Sequence, residues 1–193
     1  MSKPLTFKKS EEILHQHITE PHLLLHSLAV SASMVTMAQH FAAADIDHWR
    51  AIGYLHDVDF EKYPEEHCLH VRELLEPEGV DEGDIRAIVS HGWEICADVE
   101  PLSDLEKSLF AVDELTGIVM AAALMRPNGI ADLEVKSAMK KFKDKKFAAK
   151  CSRDVILKGC ELLGMDIKDV MALVISGMRT EMDALGLGPK EEA

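Results

Sequence analysis

Apolar side chains recur at intervals of three and four along almost the whole of this 193-residue chain, and no run alternates apolar and polar residues between turn residues as a half-buried strand would. That pattern points to an all-α fold. One helix is predicted over about residues 20–43, with Leu23, His26, Val30, Met34, Met37 and Phe41 along one stripe. A second starts from Asp45 or Asp47 as N-cap and runs through Trp49, Ile52 and His56. Pro64 suits the start of a third, with His67, Val71 and Leu74 on one face and its end near Gly79. A fourth, about 82–91, groups Ile85, Ile88 and His91. Ser103-Asp104-Leu105-Glu106 has the spacing of a capping box and opens a long helix toward Met125, ended by Pro127-Asn128-Gly129. Helices about 132–142, 152–163 and 167–184 follow, and Gly186-Leu187-Gly188-Pro189 releases a tail over 186–193.

With neither an internal repeat nor a low-complexity linker, residues 1–185 read as one domain. At this length folding buries about 70% of the unfolded surface, so neither disulfides nor a structural metal is required. Cys68, Cys96, Cys151 and Cys160 form no C-x-x-C pair and read as reduced thiols. Glu11 and Glu12 follow the basic N-terminal residues where the apolar region of a signal peptide would lie. The stretch from Pro21 to Ile46, interrupted at Asp45, carries His22, His26 and His40 and is too polar for a membrane span. A soluble, cytoplasmic protein with no membrane partner is expected.

The formal charge of −13 argues against nucleic acid as a partner of the whole surface. It is unevenly spread: eight of the 21 basic side chains fall within residues 136–153, beside the single acid Asp144. Such an island suits either a small anion such as phosphate or a solvated helix face.

Ten histidines invite a metal reading, and spacing has to decide it. Leu55-His56-Asp57-Val58-Asp59 closes an apolar helix with adjacent imidazole and carboxylate, which point about 100° apart and can both reach an ion near the helix end. His26 lies on an earlier helix and Asp113, in Ala111-Val112-Asp113-Glu114-Leu115, on a later one, so the order is H…HD…D.

Over roughly residues 20–126 the chain thereby resembles the HD-domain metal-dependent phosphohydrolases, in particular small bacterial members of the HDIG type. The resemblance implies an HD-domain helical bundle over about 20–126 with additional C-terminal helices over about 130–185. It also implies that His26, His56, Asp57 and Asp113 ligate a divalent ion. Family members with two ions use two further histidines, which His67 and His91 match. The chain departs from the common pattern at Cys68 and Val71, where relatives have Pro and Gly. It departs again at Asp59, in place of the HDIG glycine, and at Phe60, where several relatives carry Lys.

Imidazole and carboxylate suit Mn, Fe, Ni, Co or Zn, with Mg also to be considered, and the ligand set lacks the thiolates of a closed structural zinc site. One or two such ions would polarise a phosphoryl oxygen and activate water, with Asp57 as the bridge and the catalytic carboxylate. Lys62, Arg126, Lys143, Lys146 and Arg153 are the cations available to meet the phosphate, in no order that the sequence settles. The expected activity is hydrolysis of a phosphate ester or anhydride of a small molecule such as a nucleotide. The rival expectation is an HD scaffold that binds metal and nucleotide as a sensor or interaction module.

Overall fold

The computed structural model describes residues 5–190. Among these residues the protein is all-α: α1 (Phe7–His17), α2 (Pro21–His40), α3 (Ile46–Leu55), α4 (Val71–Leu75), α5 (Glu82–Val89), α6 (Asp104–Leu124), α7 (Val135–Lys143), α8 (Arg153–Leu163) and α9 (Ile167–Thr180). Three 3-10 turns, at Pro64–Glu66, Glu76–Glu78 and Ser90–Gly92, join them, and the one β-type pairing described is an isolated bridge between Trp93 and Ala97.

Side-chain caps set several helix starts. Asp45 Oδ1 accepts from His48 N at 3.0 Å, and the capping box at α6 is complete: Ser103 Oγ accepts from Glu106 N at 3.2 Å while Glu106 Oε2 accepts from Ser103 N at 2.8 Å. Arg86 on α5 reaches the other oxygen of Glu106, so the cap also joins two helices.

One apolar cluster runs from Leu5 to Leu187. The long helices α2 and α6 lie at its centre. The former packs on α3, α6 and α9; the latter also packs on α8. By length and mean hydropathy α2 could cross a membrane, and more than half of its most apolar window is buried against the rest of the protein. Its approach to α9 is close enough that a Cβ on Gly177 would stand 2.4 Å from Ala32 O.

Three elements differ from the sequence expectation. The N-terminal segment, read above only for its charge, forms α1, whose Ile13 and Leu14 are fully buried. Phe7, at its start, takes the Arg50 guanidinium over its ring at 3.8 Å and meets Tyr54 edge-on at 5.1 Å. The helix expected from Pro64 to Gly79 is broken into a 3-10 turn, the five residues of α4 and a second 3-10 turn. Two features break it. Pro77 lacks the N–H that would continue the helical hydrogen bonding of α4, while Cys68 takes a left-handed φ of 70° that re-aims the backbone after His67. Residues 186–190, read as the start of a tail, dock instead: Leu187 is buried, its carbonyl accepts from Ile130 N at 2.8 Å, and Lys190 N donates to Pro127 O at 2.9 Å. The remainder of the expected tail, 191–193, lies outside the described residues.

Candidate metal centre

The helix packing brings six side chains expected at the site to one place. His26 comes from α2 and Asp113 from α6, with His56 and Asp57 just past the end of α3. His67 follows the first 3-10 turn, and His91 sits in the 3-10 turn that ends α5. His26 Nε2 lies 3.1 Å from His56 Nε2, 2.9 Å from Asp113 Oδ1 and 3.5 Å from Asp57 Oδ2. His56 Nε2 is 3.3 Å from the same oxygen of Asp57 and 3.4 Å from Asp113 Oδ1. The other oxygen of Asp57, Oδ1, lies 3.2 Å from His67 Nε2 and 3.5 Å from His91 Nε2, which are 3.0 Å from each other. Asp57 therefore shares its two oxygens between two groups of ligand atoms.

These spacings fit cations better than hydrogen bonds. Atoms each about 2.1 Å from one ion are about 3.0–3.4 Å apart at octahedral or tetrahedral angles. The tautomers are also set. His56 Nδ1 donates to Gly53 O at 2.9 Å and His91 Nδ1 to Ile88 O at 2.6 Å; a carbonyl can only accept, so each Nδ1 carries the proton. His67 Nδ1 likewise donates to Asp59 Oδ1 at 2.7 Å. Whenever such a ring is neutral its Nε2 lone pair points inward, and the facing lone pairs of His67 and His91 repel unless a cation or a proton lies between them. His26, His56 and Asp57 form one group able to hold a metal ion, as do His56, His91 and Asp113, and His67, Cys68 and His91.

The electrostatics agree. Burial disfavours charge on His56, yet the Asp57 and Asp113 carboxylates outweigh it and raise its pKa well above the ordinary value. Burial is likewise outweighed at His67 by Asp57 and Asp59, which push it up to about 10. Burial would raise Asp57 and Asp113, and the neighbouring imidazoles, His56 foremost, hold both well below the carboxylate range. The centre is a pocket of concentrated negative charge that demands positive partners.

Asp59 is the residue that sequence reasoning undervalued. It stands where the HDIG pattern has glycine; it is fully buried and accepts a hydrogen bond from His67 Nδ1–H and another from His70 N at 3.3 Å. Its carboxylate fixes the ring that the broken helix presents. An acid two residues after the HD pair, in His56-Asp57-Val58-Asp59, was the available signal.

The centre opens into a cavity of about 320 Å³ lined by Phe60, Gly92, Ile95, Cys96, Glu114, Gly117 and Cys151 together with five of the ligand residues. Phe60 lies edge-on to His67, with ring centroids 5.1 Å apart. Glu114 Oε2 accepts from Ser152 N at 3.2 Å, and burial followed by the charge of Asp113 raises its pKa.

None of the five expected phosphate-binding cations lines this cavity. Arg153 is occupied as a clamp, donating to the carbonyls of Phe142, Asp144, Phe147, Ala148 and Cys151, which ties the basic loop to the start of α8. Arg126 pairs with Asp132 at 2.8 Å. The Lys62 ammonium sits over the Tyr63 ring at 4.9 Å. Lys143 borders a separate cavity with Lys136, Lys140 and Lys168, and Lys146 is exposed. Glu94, next to the His91 turn, forms a surface ion pair with Lys158 at 2.6 Å. Comparison with family models, curated proteins and solved structures found no match for this chain.

Proposed function

We propose that the protein is a metal-dependent phosphohydrolase of the HD type, hydrolysing a phosphate ester or anhydride of a small molecule, with nucleotides the first class to test. The observation that carries this reading is the division of Asp57 between two sets of inward-facing imidazoles at the end of a cavity. His26, His56, Asp57 and Asp113 would hold one divalent ion, and Asp57, His67 and His91 a second. Bound there, such ions supply Lewis acidity toward a phosphoryl oxygen and lower the pKa of water.

The chain's own residues do the rest. Asp57 keeps the two groups of donors in register, Asp59 holds His67 in one tautomer, and the carbonyls of Gly53 and Ile88 do the same for His56 and His91. Phe60 and Ile95 offer exposed apolar surface in the cavity lining, suited to the organic part of a substrate. Because Lys62, Arg126 and Arg153 are engaged elsewhere, phosphate charge would fall mainly to the ions and the backbone.

The test is phosphate release from a panel of nucleotides and generic esters with Mn, Co, Ni or Mg, using wild type and Asp57→Ala. Turnover that needs the metal and falls at least 100-fold in the variant supports the reading. Tight nucleotide binding without turnover at any metal would instead favour the sensor module.

A further inference from the structure

Two of the four cysteines meet at the wall of this centre. Cys68 Sγ and Cys96 Sγ are 3.2 Å apart, although 28 positions separate them in the chain. They converge because the left-handed backbone at Cys68 turns its side chain inward just after His67, while Cys96 ends a tight turn in which Gly92 O accepts from the amides of Ile95, Cys96 and Ala97. Both sulfurs close over the backbone next to His91: a Cβ on Gly92 would stand 2.6 Å from Cys68 Sγ and 2.5 Å from Cys96 Sγ. Only glycine leaves room there for a thiol pair. Cys68 is buried, whereas Cys96 lines the cavity and is reached from it. Cys160 is buried, and Cys151 lies at the cavity beside Gly117 and Glu114; no thiol partner is described for either.

We propose that Cys68 and Cys96 are a reversible oxidation site, closing to a disulfide when hydrogen peroxide enters the cavity. The Cys96 sulfur attacks one peroxide oxygen, the O–O bond breaks, and the departing oxygen leaves as water with the thiol proton, so that Cys96 becomes a sulfenic acid. The Cys68 sulfur then attacks the Cys96 sulfur. The S–S bond forms, the S–O bond breaks, and the leaving hydroxide takes the Cys68 proton to give a second water. The sulfur pair loses two electrons and the peroxide gains two. Closure brings the sulfurs from 3.2 Å to a bond of about 2.05 Å, a small movement for two side chains on turns. Cys68 succeeds His67 and Gly92 succeeds His91, so the bridge would tether the segments that carry the two histidines. The site is independent of which reaction the centre performs.

The experiment uses the full chain as purified, treated with hydrogen peroxide and then mapped by peptide mass spectrometry without reduction. A linked pair of peptides containing Cys68 and Cys96, with the protein lighter by two hydrogen atoms and two of its four thiols lost to a thiol reagent, is the expected result. A dithiol reductant should restore all four. Cys68→Ser should halt at an oxidised Cys96, and Cys96→Ser should leave Cys68 unmodified. Wild-type protein in which Cys96 passes to sulfinic acid with no linked peptide, or in which the link joins Cys151 or Cys160, overturns the proposal. The wild-type mapping needs no variant to fold.

Discussion

Asp59 shows how a single side chain decides what a neighbouring histidine can do. By accepting the Nδ1 proton at 2.7 Å it commits His67 Nε2 to the inside of the centre. Partners of this kind change metal affinity by about 10–100-fold when removed. Asp59→Asn removes the charge with little change of volume. It is expected to weaken the ion shared by Asp57, His67 and His91 by that factor and leave the ion at His26 nearly unaffected. If the wild type holds two ions, as proposed, elemental analysis after dialysis should then read close to one ion per chain in the variant. Two ions retained by the variant would remove Asp59 from this role.

At the scale of elements, α3 and α5 are joined by His48 Nε2 and Asp84 Oδ1 at 2.7 Å, well away from the ligands. The hydrogen bond to Asp84 raises the His48 pKa above 6.5 against the effect of burial, with added help from the charges of Asp84, Asp45 and Asp81. A folded-state pKa raised above the unfolded one stabilises fully below pH 6.5 and loses that contribution as pH climbs through the raised value. The melting temperature of His48→Gln should therefore lie furthest below that of wild type at pH 6 and approach it under alkaline conditions. A gap that does not change with pH would sink the assignment. The α2–α9 contact has its own test. Gly177→Ala forces a methyl against Ala32 O, and overpacking of this kind costs about 1–3 kcal/mol, measurable by denaturant unfolding. An unchanged midpoint would mean that the two helices separate easily.

For the molecule as a whole, the centre ties α2, the end of α3, the His67 turn, the end of α5 and α6 together, so an ion bound there would link metal binding to folding. At 100 times its dissociation constant, an ion adds about 2.7 kcal/mol. In a chain of this size each kcal/mol is worth roughly 2–4 °C of melting temperature. Added Mn should raise the melting temperature, and chelator should reverse it. Ions compete with the protons that His56 and His67 hold, His67 up to about 10. The gain should therefore be smaller at pH 6 than at pH 8, and binding should release protons measurable in a weakly buffered titration. A shift of the same size in Asp57→Ala would place the ion elsewhere.

Periodicity and end signals were enough to anticipate most helices, because an amphipathic stripe and a cap are written within a few consecutive residues; Asp45 and the Ser103–Glu106 box act where local chemistry puts them. The helix α1 was missed since its two deeply buried residues, Ile13 and Leu14, sit among charges that dominate a short window. The Pro64–Gly79 helix was overdrawn because its periodicity was weighed without the interior Pro77. The candidate ligand residues could be named from residue type and order, yet their meeting could not, since 87 positions separate His26 from Asp113 and helix packing alone closes that gap to 2.9 Å. The same holds for the two thiols beside Gly92 and for Arg153, whose loop carbonyls hold the charge that composition alone offered to a phosphate. Distances between remote side chains are set by how helices pack, and no stretch of consecutive residues encodes them.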